Sequence, residues 1–157
     1  MRDSMRRFAT GVTVVATRDA EGLPVGLTVS SFNTVSLDPP LVLWSLSRRA
    51  RSLSAFVGAS HFAVSVLGAH QIELAERFGA PVAERFADVE WRCGQHGTPV
   101  LDDVAAWFEC RNAFQHDGGD HLIFVGEVVH FGHLDHPPLI ALGGSYCLSV
   151  PHPARCR

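Results

Sequence analysis

Short runs of β-branched and apolar residues, separated by turn signals, dominate the first part of the chain. The run GVTVVAT, residues 11–17, predicts a strand because β-branched residues pack well on a pleated sheet. The turn sequence DAEG follows at residues 19–22, and LPVGLTVSSF, residues 23–32, predicts a second strand. Together these segments predict a hairpin. The run LVLWSLS, residues 41–47, predicts a third strand that is apolar enough to be central.

Helical spacing of apolar residues occurs in three short segments between the strands. A short helix is predicted over residues 2–9, and a second over residues 49–60, where Leu53, Phe56 and Val57 share one face. A third is predicted over 70–79, with a glycine at its end. The segment between the last two, HFAVSVLG, predicts a further strand.

The second half of the chain predicts one long hairpin after an irregular stretch. Residues 80–103 are polar and predict a surface loop, whereas residues 105–134 predict two long strands joined at DGG, a strong hairpin signal. A last strand is predicted over 138–144, and the tail, residues 151–157, is expected to be disordered. The strand-rich pattern lacks a regular βαβ rhythm, which favours an antiparallel barrel with added helices in a single domain, residues 1–157.

Composition narrows the class of protein. The chain has 157 residues, 46% of them hydrophobic, which suffices for a core, and its net charge of −3 argues against binding to nucleic acid or an anionic membrane. All 13 basic residues are arginine. The four cysteines form no C-x-x-C pair. No run of apolar residues reaches the length of about 18 that a membrane-spanning helix needs. With no apolar signal-peptide segment near Met1, we expect free thiols and a cytoplasmic location.

Several common site motifs do not occur. The chain has no G-x-G-x-x-G before a helix, no Walker loop and no H-E-x-x-H, which argues against a Rossmann site, an NTPase and a zinc protease. Its nine histidines are scattered, and Cys93 with His96 forms a lone C-x-x-H. We therefore predict no metal site and interpret the histidines as surface or core residues.

The segment GLTVSSFNTVSLDPP, residues 26–40, combines strong apolar character with an unusual number of hydroxyls. A half-buried strand alternates apolar and polar residues, but here Ser30 and Ser31 are adjacent and point to opposite faces. Two interpretations remain open: the hydroxyls face solvent, or they line a site where something polar lies against the sheet.

The segment SLSRRARSLS, residues 45–54, places Arg48, Arg49 and Arg51 at the start of the predicted second helix. Positive charge there opposes the helix dipole unless an anion is bound, which favours a phosphate site. The alternative is a solvated basic turn.

The near-symmetric segment HDGGDH marks the tip of the predicted long hairpin. If Gly118 and Gly119 form the centre of the turn, Asp117 faces Asp120, and His121 faces the histidine at position 116. The segment is then either an ordinary polar hairpin tip, or a tip that holds a histidine near the reacting edge of a ligand.

Taken together, the segments resemble a known family. MRRFATGVTVVAT, GLTVSSFNTVSLDPPLVLWSL, HFAVSVL, LAERFG, DGGDHLIFVGEV and PLIALGGSY occur in this order, over about residues 2–150. This combination is similar to the flavin reductases, the small reductase components of two-component flavin-dependent monooxygenases. The resemblance implies a mainly β, FMN-binding split β-barrel, antiparallel and Greek-key-like, that forms a homodimer.

The resemblance also implies ligands and site residues. FMN, with FAD as the alternative, would be reduced by NADH or NADPH and supplied to a separate oxygenase component, with no role for nucleic acid or a membrane. His121 would lie beside the nicotinamide. The residues implied for flavin binding fall into four groups: Thr28, Val29, Ser30 and Ser31 along the ring; Ser45, Leu46 and Ser47 beside the ribityl chain; Arg51 and Ser52 at the phosphate; and Arg77, Phe78 and Gly79 in a closing segment.

Two other functions remain open on the same residues. The chain could be a flavin-binding electron-transfer protein without a nicotinamide site, or a non-enzymatic flavin or haem carrier. Rapid bleaching of bound flavin by NADH without oxygen separates a reductase from both. Neither the oxygenase partner nor its substrate follows from the sequence.

Overall fold

The structure, a computed structural model, describes residues 1–153. Within these residues lie three short helices, α1 (Arg2–Met5), α2 (Leu53–Gly58) and α3 (Ile72–Gly79). The strands of the same region are β1 (Thr10–Gly11), β2 (Thr13–Arg18), β3 (Pro24–Val29), β4 (Asn33–Leu37), β5 (Pro40–Ser47), β6 (His61–Val66), β7 (Trp91–Cys93), β8 (Pro99–Leu101), β9 (Ala106–Gly118), β10 (His121–His133), β11 (Leu139–Leu142) and β12 (Ser145–Leu148).

The main sheet has seven antiparallel strands in the order β3-β2-β6-β9-β10-β5-β4. Strands β3 and β4 lie at its opposite edges, yet only residues 30–32 join them. Such a link spans at most roughly 14 Å, whereas the edges of a flat seven-stranded sheet lie roughly 29 Å apart. The sheet therefore curls into an incomplete barrel with an unpaired seam between β3 and β4. The predicted mainly β, antiparallel fold with short helices is confirmed.

An aromatic cluster fills the barrel and fixes the position of α2. Trp44 of β5 stacks on Phe124 of β10 with ring centroids 4.7 Å apart, and Phe56 of α2 meets the edge of Trp44 at 4.9 Å. All three side chains are at most 1% exposed. Aromatic burial of this size and geometry is a large stabilising contribution. The cluster packs α2 against β5, and residues 48–52, which include the candidate phosphate residues, connect these two elements.

Several predicted boundaries are wrong because long-range contacts override the local pattern. The strand predicted over 23–32 ends at Val29, where the chain crosses the seam and begins the separate strand β4. The helix predicted over 49–60 begins only at Leu53, because the chain first makes a turn after β5. At the start of this turn the Arg48 backbone N–H donates to the Asp120 backbone carbonyl. Helix α1 is shorter than predicted, the polar stretch 80–103 contains β7 and β8, and β12 was not foreseen.

The tip of the long β9–β10 hairpin is centred one residue later than predicted. Gly118 pairs with His121, so Gly119 and Asp120 form the two-residue turn. Gly119 has a φ of +72°, which glycine adopts without strain at the first position of such a turn. The predicted pairings of Asp117 with Asp120 and of His121 with the histidine at 116 are therefore wrong.

No helix within residues 1–153 is both long and apolar enough to cross a membrane. Cys93, Cys110 and Cys147 are free thiols. Residues 154–157 of the predicted disordered tail, Cys156 among them, lie outside the described residues.

Candidate functional site

A cleft of about 1020 Å³ runs along the free edge of β3. Its walls are β3, the turn before α2, and the end of α3 with the segment after it. This volume lies at the upper end of the range for ligand pockets, which is roughly 300–1,000 Å³. Five residues predicted to bind the cofactor line the cleft: Thr28, Arg51, Ser52, Phe78 and Gly79.

Arg51 and Ser52 supply a charge and a hydroxyl that are available to a ligand. Arg51 is exposed, and within residues 1–153 neither side chain has a hydrogen-bond or ion-pair partner. Arg48 differs: its guanidinium donates to the Gly119 carbonyl at 3.1 Å and pairs with Asp117, so it fastens the hairpin tip. Because α2 begins only at Leu53, the expectation that three arginines lie in its first turn is wrong. Of the three, Arg51 is the one that lines the cleft.

The hydroxyl-rich segment holds the barrel together in two places. The Thr28 hydroxyl donates to the Ala75 carbonyl of α3 at 2.7 Å. The Ser31 hydroxyl accepts the Ser45 N–H at 3.0 Å and donates to the Ser45 carbonyl at 3.2 Å, which ties the β3–β4 link to β5. Ser30 is exposed. Two of these hydroxyls therefore have structural partners, an outcome that neither interpretation of the segment foresaw.

The other residues implied beside the ring and ribityl chain contribute differently. The side chains of Val29 and Leu46 are buried in the barrel core, so only their backbone can meet a ligand. The Ser47 hydroxyl accepts the Arg49 N–H at 3.3 Å. Ser45 is half-buried at the same end of β5. None of these four predicted side chains lines the cleft.

His121 lies at the start of β10, directly opposite Ser47 of β5. Its Nδ1 lies 2.7 Å from Asp120 Oδ1, and this hydrogen bond holds the pKa of the exposed Asp120 carboxyl below its usual range. The structure places His121 at the barrel end that carries the turn of Arg51, but outside the residues that line the cleft. Its side chain is 44% exposed and therefore accessible to a ligand.

The segment after α3 folds back over the edge of β3 through a repeated tripeptide. Glu-Arg-Phe occurs at residues 76–78 and again at 84–86. Phe78 meets Phe86 edge to face at 4.9 Å, Arg77 donates to the Ala87 carbonyl, and Arg85 donates to the Gly26 carbonyl at 2.8 Å. Arg77 is therefore occupied in holding this segment rather than free for a ligand. Arg85 and Phe86 also line the cleft but were not predicted, although the repeated tripeptide is a signal in the sequence that could have indicated them.

A buried carboxylate lies away from the cleft. Glu109 of β9 is 1% exposed and accepts hydrogen bonds from the backbone N–H groups of Gln95 and His96 at 3.1 and 3.2 Å, and from the Thr98 hydroxyl at 3.0 Å. Burial acts to raise its pKa, but these bonds and one from His130 outweigh burial and hold the pKa below its usual range. Glu109 therefore anchors the β7–β8 loop as an anion.

The structure is that of a mainly β protein with a cleft of about 1020 Å³ that Arg51 and Ser52 help to line. A family model described as flavin reductase like domain matches residues 5–148, so the chain belongs to the flavin reductase family.

Individual relatives agree with this assignment. The chain is 47% identical over 145 residues to an FMN reductase (NADH), SmoA, of Agrobacterium fabrum, covering 92% of this chain and 82% of that protein. It is 47% identical over 131 residues to a probable flavin reductase of Rhizobium meliloti, covering 83% of this chain but only 42% of that protein. The chain thus spans less than half the length of some curated relatives.

A solved structure shares the fold. The NADH:FAD oxidoreductase of Streptomyces globisporus, in complex with NAD and FAD fragments, matches with a TM-score of 0.91 and 34% identity. The match covers 97% of this chain and 92% of that chain.

Proposed function

We propose that this protein reduces FMN with NADH and supplies the reduced flavin to a separate oxygenase component. The observation that carries the proposal is a cleft in which Arg51 and Ser52 have no side-chain partner within residues 1–153, in a chain of the flavin reductase family. Relatives named as reductase components of flavin-dependent monooxygenases support the oxygenase partner. The relative named as an NADH-dependent FMN reductase supports the choice of substrates.

The residues present fit a flavin phosphate at one end of the cleft. A guanidinium and a hydroxyl without partners among the described residues can form charge-assisted hydrogen bonds to phosphate oxygens. Asp19 and Glu21, in the turn between β2 and β3, also line the cleft and disfavour an anion near them. The charges therefore orient the phosphate towards Arg51. The volume accommodates FMN and leaves FAD as the alternative.

The chemistry resides in the two nucleotides. A bound flavin would supply the hydride acceptor, N5, for the hydride that leaves C4 of NADH, so the nicotinamide is oxidised as the flavin is reduced. This chain would bind and orient them: Arg51 and Ser52 the phosphate, Thr28 and Ser30 the region of the ring, and His121 the nicotinamide from the hairpin tip. Gly79 and Phe78 would close the cleft. Because no side chain need form a covalent bond, positioning is the protein's contribution.

We also propose a homodimer. The chain exposes 9698 Å², whereas a compact monomer of 17.1 kDa exposes roughly 7,800 Å². Large apolar side chains on the sheet are exposed, among them Leu37 at 95%, Phe114 at 56% and Phe131 at 68%. A second copy would cover part of this surface. Light scattering should give twice 17.1 kDa, and a mass near 17.1 kDa at micromolar concentration would rule the dimer out.

We propose that residues 1–157 form one flavin reductase-like domain that acts in the cytoplasm. Free thiols at Cys93, Cys110 and Cys147 suit a reducing compartment. A cytoplasmic reductase also has direct access to NADH.

A steady-state assay that crosses NADH and NADPH with FMN, FAD and riboflavin tests the proposed activity. We expect NADH oxidation that depends on added flavin, with FMN preferred to riboflavin because only FMN carries the phosphate. Flavin binding without oxidation of either nicotinamide nucleotide would instead indicate a carrier or an electron-transfer protein.

A further inference from the structure

Three side chains from distant parts of the chain converge at a site that shares no residue with the cleft. His70 Nε2 lies 2.9 Å from Asp103 Oδ2, and His136 Nε2 lies 2.7 Å from Asp103 Oδ1. The three ligand atoms that these side chains offer all lie within 4.8 Å of one another. We call this group the His70–Asp103–His136 cluster. Asp103 lies 33 positions after His70 and 33 positions before His136, so no short sequence motif could indicate the cluster.

The three loops that carry the cluster are fixed to one another by hydrogen bonds. The first loop, before α3, is tied to the third, before β11, and the second, after β8, is tied to both. The bonds are Ala69 N–H to Pro137 O at 2.8 Å, Leu139 N–H to Leu67 O at 2.9 Å, Leu134 N–H to Ala105 O at 2.9 Å, and Gln71 Nε2 to Asp102 O at 3.0 Å. The cluster is thus held by a rigid frame, which lowers the cost of ordering it around a ligand.

Two backbone features aim the side chains at a common point. A Cβ at Gly68 would lie 2.6 Å from the Cε1 atom of His70, so only glycine lets this imidazole lie so close to the loop. Asp103 has a φ of 57°, an uncommon conformation for a residue other than glycine. The two imidazoles are inclined at 67° with centroids 4.9 Å apart. Rings inclined in this way can direct their Nε2 atoms at one ion.

The donor set identifies the kind of ligand. Two imidazole nitrogens and one carboxylate oxygen suit Zn²⁺ and neighbouring first-row divalent ions, whereas Ca²⁺ and Mg²⁺ prefer oxygen ligands alone. Ligand atoms bound at about 2.1 Å from one ion lie roughly 3.0–3.4 Å apart. The three ligand atoms of the cluster lie within 4.8 Å of one another, so rotation of exposed side chains would have to bring them onto one ion. His70 and Asp103 are exposed, which leaves further positions to water.

We propose that the His70–Asp103–His136 cluster binds a divalent transition-metal ion of the zinc class and so crosslinks the three loops. The alternative is a purely hydrogen-bonded contact, in which the carboxylate accepts from both imidazoles without an ion. The two differ in one respect: only the metal site gains stability when zinc is added.

Calorimetric titration of tag-free, chelator-treated protein with Zn²⁺ tests the proposal, using H70Q, D103N and H136Q. His133 provides the matched control, H133Q, because it is exposed and has no recorded side-chain partner within residues 1–153. We expect one zinc ion per chain in the wild type and in H133Q, and at least a tenfold weaker affinity in each cluster variant.

Thermal unfolding gives a second readout that does not involve the flavin. Zinc at a hundredfold excess over Kd should raise Tm by about 5–10 °C in the wild type and in H133Q. The cluster variants should show no such rise. Equal zinc effects in wild type and cluster variants would overturn the proposal. Variants that are less stable than wild type, with no zinc dependence in any protein, would overturn it equally and establish the hydrogen-bonded contact. Neither result bears on flavin reduction, which is assayed separately.

Discussion

Replacing Arg51 by alanine should weaken FMN binding while leaving the fold intact. The guanidinium is exposed and has no hydrogen-bond or ion-pair partner within the described residues. Its loss therefore removes no such bond there, and the free energy of unfolding should change by less than about 0.5 kcal/mol. A charge-assisted hydrogen bond to a phosphate contributes about 1.5–3 kcal/mol. The Kd for FMN should therefore rise about 10- to 100-fold.

Riboflavin and a neighbouring arginine provide the controls. Riboflavin lacks the phosphate, so R51A should leave its affinity unchanged. Arg49 lies in the same exposed turn but does not line the cleft, so R49A should have little effect on either flavin. Kd is measured by quenching of flavin fluorescence. The rate of flavin reduction by NADH is measured separately at saturating flavin, where R51A should reduce flavin as fast as the wild type.

Two outcomes would refute the assignment of Arg51 to the phosphate. If R51A raises the Kd for riboflavin and the Kd for FMN equally, the guanidinium does not contact the phosphate. If R49A weakens FMN as strongly as R51A, the effect reflects the general positive charge of the turn, and it should then disappear at high salt.

Three further predictions concern other residues. H121A should raise KM for NADH or slow anaerobic reduction with flavin affinity unchanged; identical stopped-flow traces at every NADH concentration would remove His121 from the site. S31A should lower the free energy of unfolding by about 1–2 kcal/mol, measured by urea denaturation, because the Ser31 hydroxyl makes two bonds to Ser45; unchanged stability would contradict that role. The pKa of Glu109 is lower in the folded state, so its contribution to stability is full above its unfolded pKa and is lost as the pH falls through the folded value. E109Q should therefore flatten the decline of Tm at acid pH, and an unaltered decline would contradict this.

Local patterns predicted the elements whose contacts are local. The β9–β10 hairpin and α3 appear where alternation and helical spacing place them, because each forms with its sequence neighbours. The DGG sequence offers two possible turn centres, and the pairing of Gly118 with His121 decides between them. The boundary at Val29 depends on the curl of the sheet, which brings the Ser31 hydroxyl to Ser45 of β5. No local pattern contains that information.

The same distinction between local and long-range information applies to the candidate site. The arginines of residues 48–51 were visible in the sequence, but which of them is free depends on the hairpin tip, since Asp117 and Gly119 engage Arg48. The His70–Asp103–His136 cluster was missed because metal spacing was sought within single segments. It joins three loops that only the folded barrel brings together.

Anaerobic stopped-flow mixing of NADH with the protein and FMN tests the central claim most directly. Without oxygen, the reduced flavin cannot be reoxidised, so the visible absorbance of FMN reports hydride transfer alone. We predict rapid bleaching that depends on the protein, with one NADH oxidised for each FMN reduced. If FMN binds but remains oxidised in the presence of saturating NADH or NADPH, this protein is not a flavin reductase.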